Sequence, residues 1–111
     1  MSYLERIVRA LLIGEGLPIP EIEFRFYKPR RWRFDLCWPE HMLAVEIEGG
    51  IWVNGRHNRG KGFLDDCNKY NTAALCGFTV LRICKEHIDN GQAILWIKQG
   101  LGMIDMLSKN E

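Results

Sequence analysis

Two short apolar runs in this chain carry acid where a buried strand has no use for it. Phe34-Asp35-Leu36 sets one carboxylate between large apolar residues, and Ala44-Val45-Glu46-Ile47-Glu48-Gly49-Gly50 sets two more in what reads as the neighbouring strand. Side chains alternate across a strand, so Glu46 and Glu48 point to one face. An ionised carboxylate is costly to bury unless something positive neutralises it. No lysine stands between these acids in the sequence. Converging carboxylates of this kind suit a hard divalent cation such as Mg²⁺, which takes oxygen ligands. The competing arrangement is a solvated strand face, with Asp35 paired to Arg33 or Arg25 and the two glutamates paired to lysines.

The 111 residues suffice for one domain with a real core, spanning 1–111, and are too few for two. With 47% hydrophobic and 26% charged residues, the composition is that of an ordinary globular chain. The net charge of +1 conceals two basic clusters. Arg25, Lys28, Arg30, Arg31 and Arg33 occur with no acid among them, and Arg56, His57, Arg59 and Lys61 follow the acidic strand. Such clusters, more than the overall charge, bear on an anionic partner. The opening Met-Ser-Tyr-Leu-Glu-Arg is charged, and no apolar run reaches membrane-spanning length, so a cytoplasmic protein without a membrane partner is expected. Cys37, Cys67, Cys76 and Cys84 fit no Cys-x-x-Cys pattern and read as reduced core residues. Their other use would be a zinc site of Cys67, Cys76, Cys84 and His87, at irregular spacing.

Ser2-Tyr3-Leu4-Glu5 has capping-box form, and Leu4, Ile7, Val8, Leu11 and Leu12 recur at helical spacing, which predicts a helix from Tyr3 to Ile13 ended by Gly14 and Gly16. Ile22, Phe24 and Phe26 alternate with polar residues as a half-exposed strand, and Pro29-Arg30 turns the chain. Trp32 to Cys37 is the second strand, with Phe34 and Leu36 on one face and Asp35 on the other; Met42 to Glu48 is the third. A helix over 63–76 follows, with Phe63, Cys67, Tyr70 and Ala74 as its inner stripe and Gly77 as C-cap. Phe78 to Ile83 reads as a strand parallel to the third, since a helix crosses between them. A last helix turns Ile94, Ile97 and Leu101 inward. The fold class is therefore α/β, in the order α-β-β-β-α-β-α, with a mixed sheet flanked by helices.

That order, with aspartate on the second strand and Glu-x-Glu on the third, resembles the PD-(D/E)XK nuclease superfamily. Glu46-Ile47-Glu48-Gly49-Gly50, His57, Asp66, Lys69 and Gly77-Phe78-Thr79-Val80-Leu81-Arg82 look like its branch of very-short-patch repair endonucleases and small phage or bacterial endonuclease-like domains. The resemblance implies a restriction-endonuclease-like core and a Mg²⁺- or Mn²⁺-dependent phosphodiesterase acting on DNA. Asp35 and Glu46 would bind the metal, with the Ile47 carbonyl as a third ligand. Where the superfamily usually has lysine this chain has Glu48, which would serve as ligand or general base, or else the positive charge has moved to Lys69. The same departure fits a relative that binds nucleic acid without cutting it.

Phosphodiester hydrolysis needs an activated water, a clamp on the phosphate and relief for the leaving oxygen; one ion at Asp35 and Glu46 and a second near Glu48 would supply these. His57 would act as general base or acid, or is simply an exposed loop residue. Lys69 would stabilise phosphorane-like charge, or pairs with Asp65 one turn away. Asp66 suits the first turn of its helix through the helix dipole. Glu5 is explained by the capping box, although the superfamily often has an acid there near the metal. Arg56, Arg59 and Lys61 suit phosphate contacts, Trp52 could stack on a base, and Arg30, Trp32 and Arg33 form a second nucleic-acid candidate. Trp38 and Trp96 belong to the core. So small a domain offers little surface for reading sequence, so recognition of DNA structure or damage, a homodimer, or a partner protein is expected. A zinc-stabilised interaction module built on the cysteines is the third reading.

Overall fold

The structure, a computed structural model, describes residues 1–49 and 59–104. Helix α1 (Tyr3–Gly14) starts where the Ser2 hydroxyl accepts the Glu5 N–H at 3.2 Å. It ends in a Schellman turn: Gly16, at φ +71°, donates to Ile13 O, and Leu17 donates to Leu12 O. Strands β1 (Glu21–Arg25), β2 (Arg33–Trp38) and β3 (Leu43–Glu48) form an antiparallel meander, with a single 3-10 turn at Pro39–His41. Helix α2 (Arg59–Leu75) then crosses the sheet and returns the chain to β4 (Thr79–Cys84), which pairs parallel to β3. Two helices follow, α3 (Lys85–Asp89) and α4 (Gln92–Gly100). The sheet order is β1-β2-β3-β4. Among the described residues no helix is long and apolar enough to cross a membrane.

The predicted element order holds, with α3 added. Five residues are too few to show helical periodicity; α3 is fixed by a local exchange in which the Cys84 N–H donates to His87 Nδ1 at 3.1 Å and the thiol lies 3.4 Å from the same nitrogen. Most of the core lies against α1 and α4, where Val8, Leu12, Leu36, Trp38, Leu43, Val45, Ile83 and Ile97 pack together. Burying one such aliphatic side chain stabilises by about 1.5–3 kcal/mol. Trp38 is buried as expected, its indole N–H donating to Pro18 O at 2.9 Å, and Trp96 packs against the same cluster. A smaller cluster of Phe34, Cys37, Ala44 and Ala73, with Phe24, Phe26, Phe78 and Val80, lies beneath α2.

Three expectations are corrected. Only part of the expected inner stripe of α2 holds: Cys67 and Tyr70 are half-buried, but Phe63 is 68% exposed and Ala74 is exposed, whereas Ala73 is fully buried. The helix is rotated because the sheet below it carries a carboxylate, and Lys69 and Tyr70 turn inward to meet it. Phe34 and Leu36 do not share a face; they fall in different clusters. The hairpin changes facing at Glu23, a glutamate held at φ +51° directly across from Asp35 in the β1–β2 register. The four cysteines are free thiols, but only Cys37 is buried, its thiol pushed up to about 12 by loss of solvent, and Cys76 is exposed. Among the described residues Cys67, Cys76, Cys84 and His87 do not gather as a metal-ligating set.

Candidate metal centre

The last paired residues of β2 and β3 are Leu36 and Val45; the next pair in register would be Asp35 and Glu46. There the ladder gives way to two side-chain bonds. The Asp35 N–H donates to Glu46 Oε2 at 2.9 Å, and the Ile47 N–H donates to Asp35 Oδ2 at 2.7 Å. Each carboxylate thus satisfies a backbone donor on the other strand, which holds the two acids at a fixed place where the strands part.

Their surroundings differ. Glu46 is buried, and its other oxygen accepts from Lys69 Nζ at 2.6 Å and from the Tyr70 hydroxyl at 2.8 Å. Lys69 also donates to Arg33 O at 2.7 Å, so it reaches across to the sheet and not back to Asp65. The counter-charge missing from the strand sequence is supplied by the helix. Burial, reinforced by Glu46, pushes the Tyr70 phenol well above its ordinary range. Among the described residues no cation bonds to Asp35. Its carboxyl is raised from 3.8 to about 6, chiefly by burial and further by Glu46, Glu5 and Glu23, against the lowering effect of the Ile47 N–H.

Asp35 gathers different acids from those expected. Glu5, Glu23 and Asp35 each bring a carboxylate oxygen within 4.8 Å of the others. Glu5 is only 8% exposed, and its Oε1 is buried without a hydrogen-bond partner. The expected capping box is therefore only half present: the Glu5 N–H caps onto Ser2, while its carboxylate turns toward Asp35. A cleft of about 350 Å³, lined by Ser2, Tyr3, Leu4, Glu5, Asp35, Ile47 and Gly49, opens beside this group. Three crowded carboxylates, one with an unpartnered buried oxygen, fit a hard dication. Glu5 had a sequence signal, since it lies on the same helical face as the buried Val8 and Leu12. Glu23 had none before its register opposite Asp35 was known.

Glu48 stands apart. It accepts from Arg82 Nε at 2.9 Å; the same guanidinium lies 3.8 Å from Asp66 and stacks 4.5 Å over the Tyr70 ring. Asp66 thus answers Arg82 and is not brought to Asp35. Ile47 meets Asp35 through its N–H. Lys61 is exposed in the first turn of α2. Arg30 and Arg33 are exposed around the hairpin, Arg30 lying 4.1 Å over the Trp32 ring and Arg33 within 4.0 Å of Glu23. Trp52, Arg56 and His57 lie outside the described residues, as does the side chain of Arg59.

No family model matches the sequence. No solved structure matches it either. The chain is similar to two uncharacterized proteins of Mycobacterium tuberculosis, MT2308 of strain CDC 1551 and Rv2248 of strain H37Rv, each 28% identical over 89 residues. The alignment covers 78% of this chain and 31% of each relative, so the chain spans about a third of the length of the curated relatives it matches.

Proposed function

We propose that the chain is a restriction-endonuclease-like domain that hydrolyses DNA phosphodiester bonds with the help of Mg²⁺ or Mn²⁺. The observation that carries this reading is the gathering of Glu5, Glu23 and Asp35 beside the cleft, where one Glu5 oxygen is buried without a partner and the Asp35 carboxyl is raised to about 6, chiefly by burial. Asp35 and Glu46, the pair first singled out, would hold the ion together with Glu5 and Glu23. Bound there, the ion would supply charge for the phosphate and acidify a water. The rest falls to the chain itself. Glu46 anchors Lys69 beside the acids, where an ammonium group stabilises charge gathering on a phosphate. Glu48 holds Arg82, a second cation on the same side of the sheet as α2. Ile47 orients Asp35 through its backbone.

One observation favours the runner-up, a nucleic-acid-binding relative that does not cut: both acids of β3 already have cationic partners in Lys69 and Arg82. The test is cleavage of supercoiled and single-stranded DNA with Mg²⁺ or Mn²⁺, alongside Mn²⁺ uptake by calorimetry. Asp35→Asn is expected to abolish both. Glu5→Gln is expected to weaken uptake on the order of 10- to 100-fold, as loss of one partner around a metal does. Cutting that survives in both variants overturns the proposed centre. Binding without cutting under either metal selects the runner-up.

A further inference from the structure

We infer that the tip of the β1–β2 hairpin, facing α2, is a docking platform for an unpaired nucleobase of a single nucleic-acid strand. Trp32 is its centre. The indole lies 6.1 Å from the Phe26 ring at 14° and 6.0 Å from the Tyr27 ring at 22°, with the Arg30 guanidinium 4.1 Å from its own centroid. Across an open groove of about 500 Å³ stand Asn68, Asn71 and Thr72 of α2. Flat aromatic and guanidinium groups are what single-strand binders use to stack bases. Asparagine amides carry both a donor and an acceptor, the pair of functions displayed on a base edge. Neither Asn68 nor Asn71 spends its side-chain amide on a hydrogen bond among the described residues.

Charge selects this occupant over an apolar surface, and the flat stack around Trp32 selects it over an acidic peptide, which has no ring to lay on it. Lys28, Arg30 and Arg31 are exposed on this turn with no acid among them, while Arg33 lies within 4.0 Å of Glu23 and Arg25 is used internally, donating to the Lys28 and Arg30 carbonyls. The combination answers a phosphodiester carrying a free base face. A duplex keeps its base faces stacked inside and offers the platform nothing but phosphate. In naming an unpaired strand as substrate the inference rests on the nuclease reading, yet the binding itself needs no metal. Trp32 precedes Asp35 by three residues, roughly 10 Å of extended strand.

The test is fluorescence anisotropy in EDTA with three labelled probes of one length: an oligothymidylate, the same strand made abasic, and a blunt duplex. The oligothymidylate is expected to bind on the order of tenfold tighter than either other probe. Trp32→Leu should erase that preference and Trp32→Tyr restore most of it, with circular dichroism reporting the fold. An oligouridylate arm shows whether DNA or RNA supplies the base, and either preference supports the platform. Equal binding of abasic and base-bearing strands by the unaltered protein overturns it, whatever the variants do. So does a folded Trp32→Leu protein that keeps the preference. A protein that prefers the base-bearing strand but never cuts DNA keeps the platform and loses the nuclease reading; one that cuts without that preference does the reverse.

Discussion

Against α1 and α4 the sheet presents Leu36, Leu43, Val45 and Ile83, sealed by Val8, Leu12 and Ile97; against α2 it presents Phe34, Cys37 and Ala44, and shares that space with Lys69 and Tyr70. The first face is apolar and closed except at its edge, where Glu5 meets Asp35 beside the cleft. The second gives up packing to carry the Glu46–Lys69–Tyr70 and Glu48–Arg82–Asp66 contacts. One face therefore supplies most of the hydrophobic stabilisation, and the other holds the Lys69 and Arg82 ion pairs in place. Substitutions on the two faces should fail in different ways.

The largest effect is expected on the closed face. Leu43→Ala removes a fully buried side chain and should cost about 4 kcal/mol in denaturant titrations, with Mn²⁺ uptake unchanged while the protein stays folded. A loss below about 1 kcal/mol would mean that this face is not the main core. Next comes Lys69→Met, which leaves a buried Glu46 with only Tyr70 to answer it. About 3 kcal/mol should be lost, and Glu46→Gln added to it should recover more than half. A double variant no better than the single would show that Lys69 acts by packing and not by charge.

The third effect is a slope, not a step. Asp35 titrates at about 6 when folded against 3.8 in its ordinary state, so between those values the native protein keeps a proton that the unfolded chain has released. Stability from this group therefore falls as pH rises from about 4 to 6, and Asp35→Asn should flatten that part of the stability profile. Its half-open surroundings keep the effect modest. Cation uptake should run the other way, strengthening through about pH 6 as the proton leaves. Uptake that is flat across this range would detach Asp35 from the ion. The smallest effect is expected at Arg82→Gln, whose side chain is 47% exposed: less than about 1 kcal/mol, measured by the same titration.

What the sequence made legible follows from local rules. Helix α1 and its cap, the meander, and the parallel return through α2 all rest on periodicity and chain connection, and the acid pair at Asp35 and Glu46 stood out because it violates that periodicity. The rotation of α2 was not legible. It is decided by Glu46, distant in sequence, and a stripe of Phe63, Cys67, Tyr70 and Ala74 assumes an apolar surface below. Lys69 was legible as a candidate but not as the partner of Glu46, for the same reason. Glu5 was ambiguous because a cap and a buried acid call for the same residue at the same position. The facing change at Glu23 leaves no mark in sequence, since a left-handed backbone is announced by glycine and only rarely adopted by glutamate.

That glutamate ties two parts of the molecule together. The residue with the unusual backbone, next to Phe24 of the aromatic cluster, is also the one that offers its carboxylate to Asp35 and Glu5. Where a cation in the cleft and a ring on Trp32 both order this hairpin, thermodynamic linkage requires each to raise the affinity for the other by the same factor.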